Sequence, residues 1–251
     1  MLATIVASVA FNIRALSSSG AVAAIILGTL VVGTGGWWPG IILVIFFASS
    51  SFVSHLNKAS SIEQARGSQR DWVQVLANGW GILIGCAAYA LTGWTPWLLF
   101  GVGAIAAATA DTWSSEIGRT SPVLPRLVTT WRTVPRGTSG AVSIRGLLAS
   151  LLGALFIGTL AGIGNIGSPS FPVVAGITLA GFSGGLIDSL LGATVQEQRW
   201  CDACHVRTEQ NPHACGTPTR HIAGIPGFNN DVVNMLCVLG GALIGLVSGI
   251  L

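Results

Sequence analysis

Charge is what this sequence has least of. Only 8% of its 251 residues are Asp, Glu, Lys or Arg, against roughly 25% in a typical soluble domain. Twelve basic and nine acidic side chains cannot cover the surface of a water-soluble protein of this size, so a soluble enzyme is excluded. Cysteine is scarce too, at five residues, which excludes a disulfide-rich scaffold. The 34 glycines follow no period, which excludes a collagen-like chain, and the low charge excludes a disordered one. The N-terminus lacks the basic stretch, apolar core and small-residue cleavage site of a signal peptide, and is expected to be retained.

What is present is apolar. The hydrophobic set makes up 51% of the chain, with a mean hydropathy of +0.71. A membrane helix needs about 20 mainly apolar residues. Stretches of that kind fall near 2–13, 20–33, 38–54, 73–91, 97–112, 146–163, 172–193 and 232–250. The expected fold is therefore an all-α, polytopic transmembrane helical bundle forming one integral-membrane domain over 1–251. Eight segments are expected, falling to six or seven if the two short first ones are tilted, re-entrant or half-spanning.

The loops are unequal. Those near 33–37, 91–96 and 164–171 are short and uncharged, whereas 55–72, 113–145, 194–231 and the brief 14–19 link carry all twelve Lys and Arg residues. Alternating the side at each span puts these four on one face. By the positive-inside rule that face is cytoplasmic and the C-terminus lies outside. A cell-membrane, multi-pass protein is expected.

Three carboxylates then fall within apolar segments or at their ends, each near the cytoplasmic side: Asp111, Asp188 and Asp231. An ionisable residue inside a span is costly and points to function. Asp111 and Ser115 are four apart and share a helical face, while Glu116 joins them only if the helix loosens there. Carboxylates with hydroxyls are hard oxygen ligands suited to Mg²⁺. The plainer alternative is a helix end closed by Asp111 and Ser114, with Glu116 paired to an arginine. Around Asp188, Gly184 and Gly192 recur at every fourth position and Ser189 and Gln196 follow. Such a stripe usually means helix packing, but packing does not explain the aspartate. Asn230, Asp231 and Asn234 begin the last segment, and helix capping by Asn or Asp competes there with a ligand role.

Two loops add to this. Arg136-Gly137-Thr138-Ser139-Gly140 leads toward the helix starting near Arg145, and a Gly/Ser/Thr turn before a helix N-terminus can present N–H groups to a phosphate. It is not a Walker A sequence, and a plain turn is the alternative. Arg220 and His221 are further candidates for holding phosphate. Cys201, Cys204, His213 and Cys215 offer a possible Cys₃His zinc site, with reduced, metal-free thiols as the alternative.

Five motifs in order carry a resemblance: 70–79 (Arg-Asp-Trp-Val-Gln-Val-Leu-Ala-Asn-Gly), 111–118 (Asp-Thr-Trp-Ser-Ser-Glu-Ile-Gly), 135–143 (Pro-Arg-Gly-Thr-Ser-Gly-Ala-Val-Ser), 187–196 (Ile-Asp-Ser-Leu-Leu-Gly-Ala-Thr-Val-Gln) and 229–234 (Asn-Asn-Asp-Val-Val-Asn). Over nearly its whole length the chain resembles the transmembrane protein 19 / phytyl-phosphate kinase family. The resemblance implies an isoprenoid-monophosphate kinase that uses a nucleoside triphosphate, CTP or ATP, and Mg²⁺. Asp111, Glu116, Asp188 and Asp231 are then expected to hold the metal, with Asn230 and Asn234 assisting. Arg136, Arg145 and 137–140 would hold phosphates, and the partner would be an isoprenoid lipid monophosphate in the bilayer. A lipid-phosphate nucleotidyltransferase and a membrane transporter are the competing readings. Nucleic-acid binding has no support.

Overall fold

A computed structural model describes residues 2–57, 69–166 and 171–250, without the side chains of 56 and 57. Lys58, Glu63 and Arg66, expected on the basic face, lie outside the described residues, as does part of the 164–171 loop. Eight helices follow in order: α1 (Leu2–Asn12), α2 (Ser18–Gly35), α3 (Trp37–Asn57), α4 (Trp72–Thr92), α5 (Pro96–Arg119), α6 (Ile144–Ile163), α7 (Phe171–Thr194) and α8 (Asn230–Ser248). Each coincides with one of the eight apolar stretches. α2, α3, α4, α6, α7 and α8 are long and apolar enough to cross a membrane. At 11 residues, α1 extends only about 17 Å, short of a hydrocarbon core of about 30 Å.

α5 is long enough to span but is built differently. Its residues Leu99–Ala110 are all buried, because α8, α6, α7, α4 and α3 pack around it. A helix that meets protein rather than lipid on every side gains from small residues, which let backbones approach. A Cβ added to Gly103 would lie 2.4 Å from the Gly241 carbonyl oxygen on α8, and one on Gly85 would lie 2.8 Å from the Gly101 nitrogen. Alanine and glycine therefore replace the leucine and isoleucine of the outer helices. Those helices instead present large apolar side chains outward, among them Leu148, Leu152, Leu155, Leu179 and Val247.

The connections at one end of the bundle are tied together, and this end is called the loop face here. Arg70 pairs with Leu16 in a short bridge, and the Ser17 N–H donates to the Arg70 carbonyl at 3.0 Å. Asp71 caps α4 through a reciprocal capping box with Gln74. Ser143 caps α6 by accepting from the Gly146 N–H. Every Lys or Arg among the described residues lies on this face.

Two small sheets decorate the helical frame. β1 (Arg126–Leu127) pairs antiparallel with β2 (Ala141–Val142). β3 (Gln198–Cys201) lies between β4 (Val206–Thr208) and β5 (Arg220–Ala223), both antiparallel to it. The apolar-span pattern gives no sign of these strands. It also ends the fifth segment too early, because α5 continues through Trp113–Gly118 to Arg119. Within that extension Trp113 stacks on Phe156 of α6 at 5.6 Å.

Candidate active site

The site is set by a three-helix contact. A Cβ on Gly184 of α7 would lie 2.4 Å from Ala107 Cβ on α5 and 3.0 Å from the Cys237 carbonyl oxygen on α8. One turn toward the loop face, the next residues on the same faces are Asp111 on α5 and Asp188 on α7. Their carboxyl groups come within hydrogen-bonding contact of each other. On α8, which runs the other way, Asn234 is three residues loop-ward of Cys237 and so sits at about the same depth.

Two carboxylates in contact repel unless a proton or a cation lies between them. Asp188 Oδ2 is buried and has no hydrogen-bond partner. A hard divalent cation satisfies both conditions, and Mg²⁺ characteristically binds through one or two carboxylates plus substrate phosphates. The residues present therefore fit Mg²⁺. Asp111 and Asp188 would hold it.

The packing alternative for the α7 stripe holds for its glycines but not for its aspartate. Gly184 packs against α5 and α8. Gly192 packs on the 137–140 turn, where its added Cβ would lie 2.8 Å from the Gly140 nitrogen. Gly140 has φ +73°, and a Cβ there would lie 2.3 Å from the Ala193 nitrogen. Asp188 lies between these two contacts and faces a carboxyl group instead.

Other expected residues fall into place unevenly. Glu116 is carried by a regular helix, so no loosening of α5 is needed. It accepts from Ser54 Oγ of α3 at 3.0 Å, is 4.0 Å from the Arg119 guanidinium, and is within electrostatic reach of Asp111. Ser139 Oγ is 3.4 Å from Glu209 Oε1, and buried Gln196 donates to the same oxygen at 2.6 Å. Ser115 and Ser189 turn back to their own helices, donating to the Thr112 and Gly185 carbonyls. Asn229 is the cap of α8, accepting from the N–H groups of Asp231 and Val232. The capping role thus belongs to Asn229, which leaves the half-buried Asn230, Asp231 and Asn234 without that duty.

The arginines have structural partners. Arg136 donates to the Ser121 and Pro122 carbonyls, and Arg145 donates to the Thr120 carbonyl. Both guanidiniums thereby close the C-terminal end of α5, where a positive charge is favoured. Thr138 Oγ1 donates to the Pro135 carbonyl inside its own turn, and Gly137 is exposed with φ +82°. Arg220 and His221 stand on the exposed strand β5. Arg220 pairs with Asp202 at 3.2 Å, and a His221 ring nitrogen is 3.0 Å from the Gly224 carbonyl. No contact brings either to the carboxylate pair among the described residues.

Two further residues join the site. Glu209 follows β4 and reaches Gln196, Ser139 and the electrostatic neighbourhood of Asp188. Only the folding back of the 198–223 sheet puts it there. Arg70 opens the 70–79 motif. Its guanidinium lies 5.9 and 5.6 Å from the Phe46 and Phe47 rings, in the field of Glu116.

Comparison with known proteins identifies the family. The model of the family described as integral membrane protein DUF92 matches residues 1–242. Protein PGR of Arabidopsis thaliana is 30% identical over 95% of this chain and 91% of its own length. An uncharacterized membrane protein of Methanocaldococcus jannaschii is 33% identical over 93% of this chain and 86% of its own. Protein VTE6, chloroplastic, of Arabidopsis thaliana is 27% identical over 94% of this chain and 66% of its own. No solved structure matches. The chain belongs to the DUF92 family of integral membrane proteins, the family to which its five motifs pointed.

Proposed function

We propose that this protein is an isoprenoid-monophosphate kinase that moves a phosphoryl group from a nucleoside triphosphate to a lipid phosphate at the membrane surface. The observation that carries the reading is the meeting of Asp111 and Asp188, with one buried Asp188 oxygen lacking a partner. The resemblance to the phytyl-phosphate kinase family and the likeness to VTE6 support it. Asp111 is about 12 Å of helix from the end of α5, and Asp188 about 9 Å from the end of α7. That depth suits a lipid headgroup meeting a soluble nucleotide. A transporter would hold its carboxylates near the midplane.

The chemistry asks little of a base. A phosphate monoester has a second pKa near 6, so the lipid nucleophile is already largely ionised at neutral pH. Mg²⁺ held by Asp111 and Asp188 would supply charge neutralisation for the nucleotide phosphates, as in phosphoryl transfer generally. Asp111 and Asp188 would fix its position, with Glu116 and Glu209 shaping the field around them. Asn230 and Asn234 would orient the phosphates from α8, and Asp231 would add a further carboxylate toward the metal. The 137–140 turn, with the remaining donors of Arg136 and Arg145, would hold the transferred or leaving phosphate. Arg220 and His221 would meet the nucleotide only at its far end. The prenyl tail would stay in lipid against α6 and α7, where Leu151, Leu155, Phe171, Val174 and Phe182 line an open groove of about 350 Å³. By the positive-inside rule, the loop face would be cytoplasmic.

The test is turnover. Purified protein in detergent is given phytyl or geranylgeranyl monophosphate, Mg²⁺ and each nucleoside triphosphate in turn, and both products are followed by mass spectrometry. Prenyl diphosphate with nucleoside diphosphate is the expected result and names the donor. A nucleotidylated lipid with pyrophosphate would replace the kinase by a nucleotidyltransferase using the same carboxylates. No turnover in folded protein would reject both.

A further inference from the structure

We propose that the 198–223 sheet holds a structural zinc ion through Cys201, Cys204, His213 and Cys215. One ligand atom from each of these residues lies within 4.8 Å of all the others. Cys201 Sγ and Cys215 Sγ are 3.6 Å apart, and His213 Nδ1 is 3.2 Å from Cys215 Sγ. A tetrahedral zinc centre with Zn–S near 2.3 Å and Zn–N near 2.0 Å has edges of about 3.5 to 3.8 Å. The Cys201–Cys215 edge already has that length; to close on an ion the widest edge contracts by about 1 Å and the His213–Cys215 edge opens by a few tenths.

The local fold explains the convergence. Cys201 ends β3 and is buried, and Cys204 sits in the turn that starts β4. Both therefore lie at the turn end of the β3–β4 hairpin. His213 and Cys215 come from a second tight turn, closed by the Gly216 N–H donating to the His213 carbonyl and the His213 N–H donating to Thr217. Two turns, each offering a pair of ligands, are the arrangement by which small Cys/His sites clamp zinc. His205 neighbours Cys204 in sequence yet is not in the cluster, so the grouping is selective. A disulfide would use two thiols and leave the third and the imidazole unexplained, and all five cysteines are free. This part of the chain has little apolar core of its own, which is where a metal contributes most to folding.

The ion would also secure Glu209, which lies between ligands Cys204 and His213 and reaches Gln196 and Ser139. That link to the site rests on the kinase reading. The metal site itself does not.

The experiment is metal analysis of the full chain, purified in detergent under reducing conditions. One zinc per chain is expected, falling at least tenfold in Cys204→Ser and in Cys215→Ser and unchanged in His205→Asn. Should the cysteine variants not fold, Co²⁺ exchanged into wild-type protein gives an independent reading, with thiolate-to-cobalt charge transfer and tetrahedral visible bands expected. Folded, reduced protein that takes up neither zinc nor cobalt stoichiometrically would overturn the proposal. So would a Cys201–Cys215 disulfide found by mass spectrometry of protein purified without reductant. Kinase turnover is measured on the same samples, so loss of zinc with turnover intact would separate the metal site from the catalytic reading.

Discussion

Asp111 of α5 and Asp188 of α7 bring their carboxyl groups into contact one helical turn from the point where Ala107 meets Gly184. The alanine–glycine contact sets the helix spacing, and that spacing leaves no room for two separately solvated carboxylates. Replacing one aspartate by asparagine removes a charge and supplies an amide donor to the other. Asp111→Asn and Asp188→Asn are therefore each expected to lower kinase turnover by at least about a hundredfold, while metal-free protein unfolds at the same temperature or higher. The stabilisation given by Mg²⁺ to the wild type should vanish in both. Thermal unfolding in detergent with and without Mg²⁺, alongside product formation, reads both effects. Full turnover in either variant would remove the metal role.

Helix positions were legible in the sequence because lipid enforces them: a span must be long, apolar and internally hydrogen-bonded. Asp111 and Asp188 stood out for the same reason, as charges where charge is costly. The capping box of Asp71 and Gln74 accounts for part of the 70–79 motif without any catalytic duty. Glu209 was invisible because its place depends on short strands within 198–223 that carry no periodicity to mark them. Glu116 takes its place from tertiary packing as well. Five residues from Asp111 it points toward α3, and Ser54 rather than a loosened helix gives it a place.

The 135–143 turn offers a contrast between two glycines. Both have positive φ, yet an added Cβ on Gly137 meets nothing within 4 Å, whereas on Gly140 it overlaps Ala193. Gly137→Ala should cost only the left-handed backbone strain, about 1–2 kcal/mol. Gly140→Ala adds a collision with the end of α7 and should destabilise further. It should also displace Ser139 from Glu209 and lower turnover. Unfolding midpoints of the two variants, compared with their turnover, check this. Equal losses in both would show that the turn does not seat on α7.

Glu197 ties the sheet to the entry of α8. Its carboxylate accepts from the Gly227 N–H at 2.8 Å and pairs with Arg199. Chiefly the Gly227 bond, with Arg199 adding to it against a smaller effect of burial, holds the Glu197 carboxyl below the usual range. A carboxyl depressed in the folded state stabilises it fully above the unfolded value of about 4.3, and that stability disappears as pH falls through the folded value. Wild type is thus expected to lose stability over that acid window more steeply than Glu197→Gln. Denaturation at several pH values measures the two slopes. Parallel curves would show that the bond contributes nothing.

Close helix crossings in the bundle make a last expectation, again from two glycines. Gly33 on α2 faces open space, with nothing within 4 Å of an added Cβ, whereas Gly103 on α5 would drive a Cβ to 2.4 Å from the Gly241 carbonyl and 3.0 Å from Gly245 Cα. Neither contact at Gly103 is a flexible side-chain tip, so α5 and α8 would have to part. Overpacking of this kind costs about 1–3 kcal/mol, and parting these helices also shifts Asp111 relative to Asn234. Gly103→Ala should lower the unfolding temperature and turnover together. Gly33→Ala should stay within about 0.5 kcal/mol of wild type, as expected for a surface change. A Gly103→Ala protein with unchanged stability and activity would mean that α5 is not clasped by α8, and the three-helix seat of the carboxylate pair would have to be redrawn.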